Sequence, residues 1–335
     1  MLNTKKKKKK KKGYHSFIGT SHIIGPLIPF IILDCNLRLP YKFSTSITTS
    51  LLFLISFSRI KTLLFGLTYS KPCVFHNTLR IATLNTRCLL TNTNCPPKKE
   101  FLRYLCKYAN HQCDILCIQN TQTEKNNMRS ITPRNELTLK GFMNNRSWIA
   151  YQHTAILCIN PRYRIENTEI NEDTRILTAD IIESDSGNLV THILNTYIPP
   201  HGPNRTPVIE ELKNHRIFSS SPSEPWILCG DLNTHIYDPK ARLTSSDRDF
   251  LERLHSSFKD LVKLTTDSPD GTAYSPAPTF KSTSNNALST IDYLFGNEML
   301  CNMVASSGQV YPASQWTDHY MVYVGIRDSK WLFLI

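Results

Sequence analysis

The sequence predicts an α/β protein built as a mixed β-sandwich, and three observations lead there. From Leu79 onward, short apolar or alternating runs recur with few helices between them. Two of the longest, Thr174 to Glu183 and Leu189 to Ile198, are separated only by Ser184-Asp185-Ser186-Gly187-Asn188, whose turn formers make an antiparallel hairpin. No segment repeats at a fixed period, and a hairpin has no place in the purely parallel sheet of a doubly wound fold.

Taken in order, Leu79 to Asn85 reads as the first strand. Lys98 to Tyr108 carries Phe101, Leu102, Leu105 and Tyr108 at helical spacing, and Asp114 to Gln119 is a second apolar strand. Ser147 to Ile159 supplies one strand or a pair, ahead of the hairpin. Trp226 to Asp231 is too short for a helix and runs into Gly230, so it reads as a buried strand that delivers Asp231 and Asn233 to a sheet rim. A plain Asx-type turn after Gly230 is the alternative. A helix follows, with Ser246 as its cap and Phe250, Leu251, Leu254, Phe258, Leu261 and Val262 along one face. Thr290 to Phe295 and Tyr320 to Ile326 are the last two strands.

Charge and cysteine usage narrow the class. The net charge of +12 lies wholly in residues 1–78, where thirteen Lys or Arg face only Asp34; the remaining 257 residues carry 26 of each sign. Bulk charge therefore argues for a polyanionic partner only in the leader. That leader opens with eight lysines, Lys5 to Lys12, a self-repelling run expected to be poorly structured. Its apolar patches, Ile23 to Leu33, Ile47 to Phe57 and Leu63 to Leu67, are broken by Pro26, Pro29, Arg59 and Lys61. None reaches the roughly 18 apolar residues of a membrane span. A signal anchor and an unstructured leader both remain open, the leader being the expectation. The ten cysteines include no C-x-x-C pair, and Cys117, Cys158 and Cys229 sit inside apolar runs. They read as reduced core residues, with neither a disulfide framework nor a zinc site, in an intracellular protein of nucleus or cytoplasm.

Polar groups recur where strands end: Asn85, Asn120, Asp231 with Asn233, Asp292, and Asp318-His319 ahead of the final strand. Singly, each reads equally as a turn or a strand cap. Together they supply hard oxygen donors, a base and an imidazole, the apparatus for hydrolysing a phosphate ester. Oxygen donors of this kind suit Mg²⁺ or Mn²⁺ rather than zinc.

The succession Leu-Asn, Asp-Ile-Leu-Cys-Ile-Gln, Thr-Tyr-Ile-Pro-Pro, Gly-Asp-Leu-Asn, Ile-Asp-Tyr and Asp-His resembles the endonuclease/exonuclease/phosphatase superfamily. This group includes deoxyribonuclease I, the apurinic/apyrimidinic endonucleases and the endonuclease domains of non-LTR retrotransposons. The resemblance implies a two-sheet mixed β-sandwich flanked by helices, four layers deep and deoxyribonuclease I-like. The match spans residues 79–327 as the domain, which leaves residues 1–78 as the leader and 328–335 as a short tail; a monomer is the expected state. It also implies roles: Asp231 as general base, Asn233 on a phosphate oxygen, and His319 stabilising the transition state. Asp292 would orient His319, Tyr197 would lie against the scissile phosphate, and Asn85, Asn120 and Asp318 would occupy the positions that hold Mg²⁺ or Mn²⁺.

The sequence departs from the pattern at Asn120, where the family has glutamate, its principal metal-binding carboxylate. An amide oxygen lacks the negative charge that makes a carboxylate a good Mg²⁺ ligand. Glu124 would substitute only if its loop bent back. Thr317 for the usual serine keeps the hydroxyl, and Thr290 stands where arginine often precedes Ile-Asp-Tyr. For substrate, Ser289-Thr290-Ile291-Asp292-Tyr293 lacks the tryptophan-containing signature of the phosphoinositide branch. Gly-Asp-Leu-Asn-Thr-His, with Thr279-Phe280 ahead of Ile-Asp-Tyr, resembles the retrotransposon endonucleases. The expected function is therefore a divalent-metal-dependent phosphodiester hydrolase, a DNA endonuclease of retroelement type. The alternative is a catalytically impaired relative kept as a non-enzymatic or nucleic-acid-binding remnant. Arg205, Arg216, Lys240 and Arg242 read either as a basic groove or as solvated surface.

Overall fold

Each of the central strands is buried on both faces, which is why the apolar runs of the sequence are nearly continuous rather than alternating. The computed structural model describes residues 78–90, 96–108, 113–121, 131, 133–220, 223–266 and 276–327. The assigned leader up to residue 77, the tail, Glu124 and the side chain of Tyr108 lie outside them. Thr78, the last residue assigned to the leader, already belongs to the first strand.

The chain forms β1 (Thr78–Asn85), α1 (Pro96–Tyr108), β2 (Ile115–Gln119), α2 (Pro133–Met143), β3 (Trp148–Ala150), β4 (Thr154–Cys158) and β5 (Tyr163–Ile170). The hairpin β6 (Ile176–Glu183) and β7 (Leu189–Tyr197) is followed by α3 (Arg205–Lys213), β8 (Trp226–Asp231), α4 (Ser245–Ser257), β9 (Lys259–Asp260) and α5 (Leu261–Thr266). The last part comprises β10 (Phe280–Lys281), β11 (Leu288–Ser289), β12 (Asp292–Gly296), α6 (Glu298–Cys301), β13 (Val304–Val310) and β14 (Met321–Arg327).

Two six-stranded mixed sheets result, in the orders β13-β14-β1-β2-β4-β3 and β5-β6-β7-β8-β12-β9. They share one plan. In the first, β1 runs parallel to β2 and antiparallel to β14; in the second, β8 runs parallel to β7 and antiparallel to β12. The facing surfaces bury Ile81, Ile115, Cys117, Ile156, Cys158, Ala179, Ile193, Ile227, Cys229, Leu294 and Val324 between the sheets. Phe101, Leu102 and Leu105 of α1 and Leu139 and Met143 of α2 cover the outer face of the first sheet. Val208, Ile209 and Leu212 of α3, with Phe250, Leu251 and Leu254 of α4, cover the second. The architecture is the expected two-sheet sandwich flanked by helices, four layers deep. At its centre a buried amide bridge joins the sheets: Gln119 Nε2 donates to Asn195 Oδ1 at 2.6 Å, and Asn195 Nδ2 donates to the carbonyls of Ile118 and Ala155.

Several local expectations need correction. The cap of α4 is Thr244, not Ser246. Thr244 Oγ1 accepts the N–H of Asp247 while the Asp247 carboxylate accepts that of Thr244, a reciprocal box that Ser246, two residues on and inside the helix, is too late to make. Ser246 instead donates to Glu210. The apolar stripe also spans two helices: Phe258 is extended, and Leu261 and Val262 begin α5 after β9. Ser147 to Ile159 is a pair of strands, β3 and β4. The helices α2 and α3 and the strands β5 and β13 had no clear periodic signal; β5 and β13 lie at sheet edges and are half exposed. Cys106, Cys113, Cys117, Cys158 and Cys229 are buried unbridged thiols, as expected of core residues. Among the described residues, no helix is long and apolar enough to cross a membrane.

Candidate active site

The shared plan of the two sheets determines where polar groups gather. Parallel neighbours end on the same rim, and an antiparallel neighbour begins there. Asn85 ends β1 opposite Gln119 of β2, and Tyr197 ends β7 opposite Asp231 of β8. Asp292 begins β12 directly across from Asp231, and Asp318-His319 stand just ahead of β14. Residues spread over more than two hundred positions therefore meet at one rim.

Gly230 makes the approach possible. Its φ of +143° suits glycine, and a Cβ there would lie 1.9 Å from the Thr196 carbonyl oxygen. Asp231 is buried, with Oδ2 accepting from Asn85 Nδ2 at 2.7 Å and Oδ1 from the N–H of Asn233 at 2.9 Å. Burial, and then the charge of Asp292, push its carboxyl above the usual carboxylate range against the pull of His319 and these two hydrogen bonds. Like charges facing across a strand pair repel, and the imidazole offsets that repulsion. His319 Nδ1 lies 2.9 Å from Asp292 Oδ2. Burial would lower the imidazole's pKa, but the charge and hydrogen bond of Asp292, helped by Asp231 and Asp318, raise it to about 9. Asp231, Asp292 and His319 each place a ligand-type atom within 4.8 Å of the others.

Neighbouring elements fix these groups. Thr279 Oγ1 accepts the N–H of both Ile291 and Asp292, and Phe280 packs against the His319 ring with centroids 4.9 Å apart. Thr317 Oγ1 donates to the Asn85 carbonyl and accepts the N–H of His319, tying the last strand to the first. Asn233, half-buried with φ +46°, donates Nδ2 to the Ile198 carbonyl. Tyr197 lies under the Arg175 guanidinium, 5.1 Å from its ring centroid, and next to His153. Burial, and then the charge of Asp231, push its phenol up to about 12.

The three positions expected to hold Mg²⁺ or Mn²⁺ present a different chemistry. Asn85 Oδ1 accepts the N–H of Arg87, and its nitrogen is committed to Asp231. Asn120, at φ +52°, has Oδ1 3.2 Å from Cys88 Sγ. Asp318 Oδ2 is paired with Arg87 Nη1 at 3.1 Å. The one carboxylate among these three donors is paired with a guanidinium, which leaves the set without the free negative charge that a Mg²⁺ site draws on. Asp231, Asp292 and His319 form the group whose donor atoms could hold a divalent ion, with His319 Nδ1 hydrogen-bonded to Asp292.

Sequence reasoning missed Arg87, Cys88, Arg175 and the Gln119-Asn195 bridge, and named Thr279 only as part of a motif. Arg87 stands two residues beyond Asn85, yet nothing in its spacing announces a partner 231 positions away. The basic-groove candidates separate. Arg205 is an internal tie to Asp247, Thr234 and the Pro199 carbonyl, and Arg216 pairs with Glu169 over the Trp226 ring. Lys240 and Arg242 are exposed.

Residues 82–319 match the sequence model of the Endonuclease/Exonuclease/phosphatase family. No curated protein matches. Among solved structures, the chain is similar to an AP endonuclease from Archaeoglobus fulgidus, at 17% identity and a TM-score of 0.54, covering 75% of this chain and 99% of that one. It is similar to an AP endonuclease from Leishmania major at 17% identity and TM-score 0.55, covering 75% and 88%. A 3′ phosphatase from Neisseria, bound to product DNA hairpin, aligns at 15% identity and TM-score 0.50, covering 74% and 99%. At such identities these likenesses concern the fold.

Proposed function

Since the chain belongs to the endonuclease/exonuclease/phosphatase family, whose members hydrolyse phosphate esters, we propose that it cuts the backbone of nucleic acid, as a DNA endonuclease of retroelement type. The observation that carries this reading is the buried group Asp231, Asp292 and His319, with Asn85 donating to Asp231. Asp231 takes the proton of the attacking water, for which a carboxyl held above its ordinary range is suited. His319, kept cationic by Asp292, offsets the charge that grows on the phosphoryl oxygens. Asn233 and Tyr197 are the donors that the motif likeness assigns to those oxygens. DNA and the retroelement type rest on the motif likeness of Gly230 to His235 and of Thr279-Phe280. The Neisseria phosphatase, itself bound to a DNA hairpin, agrees with a nucleic-acid substrate.

A second reading is favoured by a specific observation: Asn120 brings no charge to the expected metal position, and Arg87 covers Asp318. On that reading the chain binds nucleic acid and cuts it slowly or not at all. Supercoiled plasmid separates the two. The first expects nicking that Asp231→Ala and His319→Ala both abolish. An intact plasmid with the parent, and nicking gained by Asn120→Glu, would decide for the second.

A further inference from the structure

The loop Thr86 to Cys88 fills the places around Asp318 and Asn120 with its own groups. Its backbone is pinned to the neighbouring strand: the N–H of Thr86 donates to the Gln119 carbonyl, and that of Cys88 to the Asn120 carbonyl at 2.7 Å. Arg87 and Cys88 are both left-handed, at φ 48° and 65°, a rare pairing for non-glycine residues that persists only where the surroundings enforce it. The outcome is that three atoms of one loop meet all three expected metal-binding residues. The Arg87 N–H takes Asn85 Oδ1, its guanidinium takes Asp318 Oδ2, and the Cys88 thiol meets Asn120 Oδ1. The Asp318 side chain is only 12% exposed, whereas that of Arg87 is 52% exposed. The guanidinium thus reaches the buried carboxylate from the open side and keeps donors turned toward solvent.

We propose that Arg87 stands in for the divalent ion, so that this chain holds no metal at Asn85, Asn120 and Asp318 and meets the phosphodiester through a guanidinium. A guanidinium is permanently charged and has five donors in a planar fork matched to phosphate oxygens, so one face serves Asp318 while another receives the substrate. Its charge next to Asp318 also repels an incoming divalent cation. The exclusion of metal stands on the local geometry alone. The phosphate role rests on the nucleic-acid reading given above.

Titration of the full chain with Mn²⁺, followed by the electron paramagnetic resonance of the free ion and without nucleic acid, tests the exclusion. The parent is expected to leave the free-ion signal unchanged, and the double variant Arg87→Asp, Asn120→Glu to bind one Mn²⁺. One Mn²⁺ bound by the parent and lost in Asp318→Asn would overturn the proposal, whether or not the double variant folds. A short fluorescein-labelled DNA duplex in EDTA, read by anisotropy, tests the phosphate role. Arg87→Ala should weaken binding by about tenfold or more, with Arg87→Lys in between because it keeps charge and loses the fork. Equal binding by parent and Arg87→Ala would refute that role. No binding by the parent would defeat the nucleic-acid reading, while the Mn²⁺ titration would still judge the exclusion.

Discussion

The rim has two halves of opposite character. On the side of the second sheet, Asp231 and Asp292 are buried carboxylates with His319 as the cation nearest them. On the side of the first sheet, Asn85, Asn120 and Asp318 have their oxygens met by Arg87 and Cys88 of one short loop. Both halves come from the same strand plan, since Asn85 closes β1 as Asp231 closes β8. The difference lies in how charge is compensated. The first half keeps charges that are costly to bury and exist only because they answer one another, an arrangement that has a use when a proton is moved. The second half spends its polar atoms on holding a loop, which teaches that a common backbone scaffold conserves position without conserving chemistry.

The largest effects should fall on the first half. Asp231→Ala and His319→Ala are expected to lower plasmid nicking by about a thousandfold, against about tenfold or less for Asn120→Ala, in single-turnover gel assays. An equal loss at Asn120 would erase the contrast between the halves. Next, Asp292→Asn removes the leading charge that raises His319. The imidazole should then titrate well below about 9, as read by its carbon and nitrogen chemical shifts, and nicking should drop about a hundredfold. Asp318→Asn, a lesser contributor, should move that titration less.

The pH profile sharpens the same distinction. Asp231 must be ionised to act as base, so activity should rise with pH through a value above the ordinary carboxylate range. His319 must be protonated, so activity should decline as pH passes about 9. Asp292→Asn should bring the upper limb to lower pH. A profile flat across that range would show that His319 contributes no charge. The smallest effects are on stability in urea. Asn85→Ala leaves a buried carboxylate oxygen without its donor and should cost about 1–3 kcal/mol, whereas Asn120→Ala, whose side-chain partner is a thiol, should cost about 1 kcal/mol or less.

How much of this was legible depends on range. The strands β1, β2, β6, β7, β8, β12 and β14 could be read because burial on both faces writes itself as apolar runs, and the hairpin because its turn needs Gly187 at φ +72°. Edge strands and helices with only a weak apolar stripe leave fainter marks, so β5, β13, α2 and α3 were not legible. The polar residues at strand ends could be named because each follows an apolar run.

By itself, then, the amino-acid sequence determined the sandwich and the strand-end positions of Asp231, Asn233, Asp292, Asp318 and His319, since these follow from patterns local to a strand and its end. Only the tertiary structure decided which of them pair. Asp292 with His319 and Arg87 with Asp318 are contacts across 27 and 231 positions, and hydrogen bonds and charges act over a few ångströms of space whatever the distance along the chain. The φ angle that aims Arg87 is likewise imposed by its neighbours, against the preference of its own side chain.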